Sequence, residues 1–135
     1  MNGYDLSRLF FQGRNLARAQ LAGAQLQLTD LRQCDLTDAN LHDCKLHSAR
    51  LEGADVTRTD FTSADFTRCA LSYLRARDGL PKIRQARNLN RAEKPADQET
   101  VRLFLHCLAD CEMQPEIEPW LRDARAVVTG WVARP

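Results

Sequence analysis

An apolar residue occurs at every fifth position between Asp5 and Tyr73 of this 135-residue chain, without a miss. On an α-helix, five residues advance about 500°, so successive members would lie about 140° apart and would form no single face. On a straight strand, an odd step sends each side chain to the opposite side of the sheet. The pattern therefore predicts a chain that turns a corner every five residues. The apolar positions are Leu6, Phe11, Leu16, Leu21, Leu26, Leu31, Leu36, Leu41, Leu46, Leu51, Val56, Phe61, Phe66 and Leu71.

A second series, of small residues, lies two positions before the apolar one, where an extended segment points its side chains the same way. Its members are Ala19, Ala24, Thr29, Cys34, Ala39, Cys44, Ala49, Ala54, Thr59, Ala64 and Cys69. We expect both series to face the inside of the structure. Leu9 and Arg14 depart from the small series, and an unpaired Arg would be costly to bury. The first repeats are therefore expected to be distorted, as terminal repeats often are.

Three units show the repeat most clearly: Ala39-Asn40-Leu41-His42-Asp43, Ala54-Asp55-Val56-Thr57-Arg58 and Ala64-Asp65-Phe66-Thr67-Arg68. This order of a small residue, Asp or Asn, an apolar residue and two variable residues resembles that of the pentapeptide-repeat family. The resemblance implies a mainly β fold, a right-handed quadrilateral β-helix with four pentapeptides per coil, in which residues twenty apart stack. Fourteen units would make about 3.5 coils, a height of roughly 17 Å at about 4.8 Å per coil.

The period stops after Leu71, which predicts three parts. These are a β-helix over residues 1–73, a connector over 74–96 and a C-terminal helical hairpin or cap over 97–135. Some cap is required, because the last coil of a solenoid leaves backbone groups unpaired and apolar side chains uncovered.

The connector is basic, with seven Lys and Arg residues between Arg75 and Lys94 against Asp78 and Glu93. It could contact phosphate groups or an acidic protein. However, it has no interleaved aromatic residues and no helix-turn-helix or zinc-finger signature. We therefore expect a solvated linker, or a short helix over residues 82–93, and no direct binding of nucleic acid.

The tail has the pattern of two amphipathic helices. Asp97 is the expected N-cap of the first, with Glu99 in its first turn, and Pro115 is expected to end it. The second is expected to begin near residues 116–119. The apolar faces predict either a cap alone or a contact surface, for an unidentified protein partner or for a second copy in a homodimer. The candidate interaction residues are Phe104, Leu105, Leu108, Trp120, Leu121 and Trp131.

The five cysteines favour neither a disulfide framework nor a metal site. Cys34, Cys44 and Cys69 fall on inward positions of the small series, where a thiol acts as a compact apolar group, and Cys34 and Cys44 are expected to be buried reduced thiols. Cys107 and Cys111 lie four residues apart beside His106, and no further pair of ligands is nearby. No metal and no cofactor is predicted.

The sequence also predicts that the protein is not an enzyme. His42 and His47 have acidic neighbours, but no nucleophile with an orienting third group accompanies them. Phosphate-binding and nucleophile-elbow motifs are absent from the sequence. The start lacks the basic region and long apolar core of a signal peptide, although the short apolar group Leu9-Phe10-Phe11 follows. No run is long enough to span a membrane, so a cytoplasmic protein is expected.

Three functions fit these features. The first is a protein-interaction module, in which the β-helix is a rigid scaffold and the tail is a cap and contact surface. The second is a topoisomerase-binding protein that imitates DNA, as family members associated with quinolone resistance do. The third is an adaptor or accessory subunit of a bacterial secretion or toxin system. Mimicry requires a long acidic face, whereas Lys45 is expected to stack near Asp65 and Arg50 near Asp30, so the first function is favoured.

Overall fold

The computed structural model describes residues 3–111 and 118–132. From Asp5 to Arg87 the chain forms a ladder of parallel single-residue bridges, and within the described residues none of them lengthens into a strand. The bridges from Asp5 with Gln25 through Asp55 with Arg75 join residues twenty apart. This confirms the stacking interval that the resemblance implies. The square cross-section and the number of coils stay predictions.

The corners from residues 11–14 to residues 66–69 are tight turns, each closed by a backbone hydrogen bond. Ala24 N, for example, donates to the carbonyl of Leu21 at 3.0 Å. The third residue of this turn is Gly23, which has a φ of 73°. The glycines at the equivalent position of other turns, Gly3, Gly13 and Gly53, have a φ of 75°. A positive φ at this position is the mark of a type II turn. Where the corner residue is not glycine, the same conformation is adopted, as at Asp38 with a φ of 59° and Arg58 with a φ of 51°.

The two inward series form the core that the sequence predicts. Every member of the apolar series from Leu21 to Leu71 is buried. The small series accepts Thr and Cys because their side chains reach a carbonyl of the preceding coil. The Thr59 hydroxyl donates to the carbonyl of Leu36 at 2.7 Å, and the Cys44 thiol donates to that of Leu21 at 2.9 Å. These bonds remove the cost of burying an unsatisfied polar group.

The ladder continues through much of the segment expected to be a solvated linker or short helix. Lys82 bridges Asp60, and Arg87 bridges Asp65, at a spacing of twenty-two instead of twenty. Two residues are thus inserted between these bridges and the one at Arg75. Side chains of this segment enter the core, among them Ile83, Ala86 and Leu89, all of which are buried. The insertion breaks the five-residue period, which is why the pattern in the sequence ends too early. A 3₁₀ helix at Leu89–Arg91 follows.

Two helices then cover the last coil: α1, Gln98–Asp110, and α2, Glu118–Trp131. The predicted N-cap is confirmed, because the Asp97 side chain accepts a hydrogen bond from the backbone N–H of Thr100. Helix α1 ends five residues before Pro115, which lies outside the described residues together with residues 116 and 117. A cavity of about 10 Å³ remains between the last coil and α1. It holds no more than one water molecule, so the closure is tight.

Candidate functional site

The tail residues predicted to bind a partner lie mostly inside the molecule. Phe104, Leu108, Leu121 and Trp131 are buried, and Leu105 is half-buried. The Phe104 and Trp131 rings meet edge to face, with centroids 5.3 Å apart. The apolar faces of α1 and α2 are therefore used to cover the last coil and each other. These four buried side chains cannot contact a partner while the cap is in place.

Trp120, the remaining candidate, joins α2 to the last coil. Its indole Nε1–H donates to the carbonyl of Ala86 at 2.8 Å, and its ring is half-buried. A second polar attachment lies at the start of α1, where Asp97 Oδ1 accepts from the backbone N–H of Tyr73 at 2.7 Å. The Thr100 hydroxyl accepts from the N–H of Leu74 at 3.1 Å. The N-cap of α1 thus satisfies backbone donors of the coil that it covers. We call this end, formed by residues 71–92 with α1 and α2, the sealed end.

The opposite end of the β-helix is formed by its first coil, residues 3–20, and we call it the open end. Its apolar series is incompletely covered, because Leu6, Phe11 and Leu16 are only half-buried whereas all later members are buried. Beside them, Phe10 is 84% exposed and Leu9 is 43% exposed. Tyr4, on the same coil, is 41% exposed.

The open end also has a free backbone edge. In the second coil, the N–H groups of Gln25, Asp30, Asp35 and Asn40 donate to carbonyls of the first coil at 2.7 to 3.0 Å. The equivalent residues of the first coil are Asp5, Phe10, Asn15 and Gln20. Their N–H groups donate to no backbone carbonyl in residues 3–111 and 118–132. An unpaired edge of this kind is a template for pairing with another chain.

Arg14, which departs from the small-residue series, is exposed at this end. The first coil is nevertheless regular, because its bridges and the positive φ of Arg8, Gly13 and Arg18 match those of later coils, so the expected distortion of the first repeats is wrong. The first coil also carries Arg8 and Arg18 against one acidic residue, Asp5. Hydrogen bonds from Ser7 lower the pKa of Asp5, which keeps that carboxylate charged. The open end therefore combines an apolar surface with an excess of positive charge.

Along the wall of the β-helix, the two predicted neighbours of opposite charge are found, although Asp35 bridges another carboxylate, that of Asp55. Lys45 bridges Asp65, and Arg50 bridges Asp30. Asp30 also pairs with Arg32, whose Nη2 lies 2.7 Å from Oδ2. The hydrogen bond from the Arg32 guanidinium lowers the pKa of Asp30. No extended face of one sign is formed by these residues.

The basic segment adds further neighbours of opposite charge. Three of its side chains occupy bridge positions directly beside an Asp of the preceding coil. These pairs are Asp55 with Arg75, Asp60 with Lys82, and Asp65 with Arg87. The positive charge that the sequence concentrates in residues 75–94 is thus laid against a row of carboxylates. This arrangement weakens any long-range field from the segment.

Each of the two histidines considered for catalysis pairs with a carboxylate and not with a nucleophilic side chain. His42 Nδ1 lies 3.0 Å from Asp43 Oδ2, and His47 Nε2 lies 3.2 Å from Asp65 Oδ2. The two histidines thus pair with different carboxylates on the outer wall. In the described part of the chain, no three His, Cys, Asp or Glu side chains are grouped to hold a metal ion.

The five cysteines are buried, which confirms the burial expected at Cys34 and Cys44, while their reduced state stays a prediction. Burial raises the pKa of the Cys44 thiol to about 12. It has the same effect at Cys107, where the pKa is again about 12. Since the thiolate is the reactive form, these groups are poor nucleophiles.

Among the described residues, no helix is long and apolar enough to cross a membrane.

The open end was not among the sites predicted from the sequence. Its signal was present at Phe10, which occupies the position where the clearest repeats have Asp or Asn. An aromatic residue at an outward position of the first coil has no place in the core. The group Leu9-Phe10-Phe11 was weighed only as part of a signal sequence.

Comparison with known proteins agrees with this fold. A sequence profile of pentapeptide repeats matches eight copies, over residues 5–38, 15–53 and 39–75, which together span just over half of the chain. No curated protein sequence is significantly similar to this one. Among solved structures, the pentapeptide repeat protein Rfr23 from the cyanobacterium Cyanothece 51142 is similar with a TM-score of 0.62 and 21% identity. That match covers 70% of this chain and 60% of the Cyanothece protein.

Two further structures are similar at lower scores. A pentapeptide repeat protein from the thylakoid lumen of Arabidopsis thaliana has a TM-score of 0.49 and 23% identity, covering 78% of this chain and 77% of that one. HetL from Nostoc sp. strain PCC 7120, a pentapeptide repeat protein involved in heterocyst differentiation regulation, has a TM-score of 0.40 and 19% identity, covering 55% and 40%. The Cyanothece structure and the repeat profile support a right-handed β-helix, followed here by two α-helices. The chain belongs to the pentapeptide-repeat family.

Proposed function

We propose that the protein is a non-enzymatic protein-interaction module. In this proposal the β-helix is a rigid scaffold, the helical tail is its cap, and the open end is the contact surface. The observation that carries it is the exposure of Phe10, 84%, on a coil that also exposes Leu9 and Tyr4 and has an unpaired backbone edge. Aromatic side chains contribute much of the energy of protein interfaces, and contiguous apolar patches commonly mark interaction sites.

The proposal moves the contact surface from the tail to the first coil. Four of the six tail candidates are buried in the sealed end, and Trp120 is bonded to the last coil. Among the described residues of the sealed end, Tyr73 is 60% exposed, Val132 41% and Leu80 37%, so none of them is as exposed as Phe10. The tail therefore serves the module by closing one end.

We also place the module in the cytoplasm. Five free cysteines in a chain of this size fit a reducing compartment, since disulfides are common in oxidising ones. Their burial protects them in either setting, so a fractionation experiment is the direct test. Recovery of the protein outside the cytosolic fraction would contradict this part of the proposal.

The interaction is tested by immobilising the full chain and incubating it with cytosol of the source organism. Three forms are compared: the native chain, Phe10→Asp at the open end, and Tyr73→Asp at the sealed end. Tyr73 is a matched control because it is a solvent-exposed aromatic residue at a corner position, where Asp38 and Asp43 already occur. We expect a partner to be retained by the native chain and by Tyr73→Asp, and to be lost with Phe10→Asp. Equal recovery by all three forms would contradict the proposal.

A further inference from the structure

The free edge of the first coil has an unusual form. Its four unpaired residues lie on four consecutive segments, five positions apart: Asp5, Phe10, Asn15 and Gln20. Between them the chain turns at Arg8, Gly13 and Arg18, each with a φ of 64° to 75°. Each segment offers only one residue with its N–H directed to the missing side. The edge therefore follows a bent path and not a line.

This path restricts what can pair with the edge. An extended peptide added to a sheet runs straight along it, so it would reach one segment and leave the others uncovered. A second coil with a turn every five residues would meet all four segments together. The same coil would also cover Leu6, Phe11 and Leu16, which are half-buried at the end of the core. The matching surface that the structure itself provides is the first coil of another copy.

We infer that two copies of the chain associate through their open ends, as a closed head-to-head dimer. This inference rests on the proposed function and names the partner at the same surface. A two-fold axis across the ends makes the facing edges antiparallel. In an antiparallel pair, two facing residues exchange both of their backbone hydrogen bonds, so each unpaired N–H meets a carbonyl. Phe10 and Leu9 of both copies are brought to the rim of the contact.

The sealed end explains why the assembly stops at two copies. Head-to-tail stacking would require a free edge at the other end of the β-helix and would build a filament. There, Asp97 and Thr100 accept the N–H groups of Tyr73 and Leu74, and α1 covers the core. One open end per chain permits one isologous contact. The expected assembly is a dimer of two 15.3 kDa chains.

Because the first coil carries excess positive charge, the effect of salt on affinity distinguishes a second copy from an acidic partner. Arg8, Arg14 and Arg18 outnumber Asp5 on the first coil, so both halves of the dimer carry the same excess charge. Salt screens such repulsion, and dimer affinity should hold or rise as salt increases. A complex with an acidic protein would weaken instead.

The test is sedimentation velocity of the native chain over a wide concentration range, at low and moderate salt. We expect the native mass to approach twice 15.3 kDa. Phe10→Asp should weaken dimerisation by about tenfold or more, since it places charge in an apolar contact. Gln20→Pro should act similarly, because it removes an N–H that donates to no backbone carbonyl among the described residues. Tyr73→Asp should leave the dimer unchanged, and circular dichroism checks that each variant is folded.

Three results would overturn the inference: a native chain that stays monomeric, a dimer that both open-end variants leave intact, or a dimer that Tyr73→Asp dissociates. Either open-end variant suffices if the other does not fold. The outcome is separable from the proposed function. A monomeric chain that still retains a cytosolic partner in a Phe10-dependent manner would refute the dimer and keep the interaction module.

Discussion

Each end of the β-helix has backbone groups and core side chains that need cover, and the two ends differ in how far they are covered. At the sealed end, the N–H groups of Tyr73 and Leu74 are bonded to side chains at the start of α1, and apolar residues of both helices cover the core. At the open end, the N–H of Phe10 has no backbone acceptor among the described residues, and its ring is in solvent. A ladder of identical coils has no natural stop, so each end needs its own closure. The described chain supplies one such closure.

Because of this difference, we expect residues at one end of the β-helix to affect mainly the stability of the fold and residues at the other end to affect mainly binding. Side chains at the sealed end should matter chiefly for folding, because they are buried within the chain. Those at the open end should matter chiefly for association, because they have little to pack against in a single copy. The predictions below test that separation, beginning with the largest expected effect.

The first compares one phenylalanine from each end. Phe104 is buried and packed against Trp131, so Phe104→Ala should lower the free energy of unfolding by about 3 to 5 kcal/mol. Phe10→Ala should change it by no more than about 0.5 kcal/mol when measured on the monomer at low concentration. Urea unfolding of both variants measures these values. A similar loss from both substitutions would mean that the ends do not differ as described.

The second prediction concerns the polar attachment of α1. Asp97→Ala removes the N-cap and the acceptor for the N–H of Tyr73, and should cost about 1 to 2 kcal/mol. Asp97→Asn is the matched control, since Asn is also a good N-cap. We expect it to retain most of the stability at neutral pH, in the same urea unfolding measurement. Full loss of stability in the Asn variant would show that the charge, not the cap, holds α1.

The same pair of proteins predicts a dependence on pH. Burial acts to raise the pKa of Asp97, but hydrogen bonds from Tyr73 and Thr100 outweigh it, so the pKa lies below the ordinary value of 3.8. A group with a lowered folded-state pKa stabilises the fold above its ordinary pKa and loses that effect as the pH falls through the folded value. From pH 7 to about pH 3, the native chain should therefore lose more stability than Asp97→Asn does. Parallel losses in both would contradict this assignment.

The third prediction uses the cysteines as reporters of local opening. All five are buried, so none should react quickly with a thiol reagent in the absence of denaturant. Under slow labelling, Cys34 should react before Cys69, because its coil adjoins the open end and less structure covers it. Mass spectrometry of the labelled peptides over time gives the order. Earlier reaction of Cys69 would indicate that the sealed end opens first.

Much of the fold could be predicted because the repeat imposes one constraint many times. Residues such as Leu41 and Ala39 are fixed by a period that neither a helix nor a flat strand can use, and both are buried as expected. The prediction stopped short at Arg75, where two inserted residues shift the bridges to Lys82 and Arg87. A strict five-residue period in the sequence is lost at an insertion, even though the coil continues in the structure.

The candidate site could not be found in the same way. Apolar faces on the two helices indicated that Trp131 must be covered, but the sequence did not show by what. The exposed state of Phe10 follows from its place at an end of the ladder, which is a property of the assembled coils. The corner position was treated as a variable position of the repeat, although glycines such as Gly13 and Gly53 recur there and other residues adopt the same positive φ. Position within the fold, more than residue type, therefore decides the site.

The last prediction is that the protein does not protect DNA gyrase. It tests whether the wall of the β-helix, and not only its ends, has a binding function. Imitation of DNA by a β-helix requires a continuous acidic face. Here Lys45 adjoins Asp65 and Arg50 adjoins Asp30 along the bridges, so such a face is interrupted. The purified protein should therefore give no protection of DNA gyrase from a quinolone in a supercoiling assay, at concentrations where it is folded. A double variant, Lys45→Glu with Arg50→Glu, is the informative control, because it removes two of the interruptions without touching the core. Protection by the native chain would transfer the binding role from the open end to the wall. Protection by the double variant alone would show that these two basic residues are what exclude it.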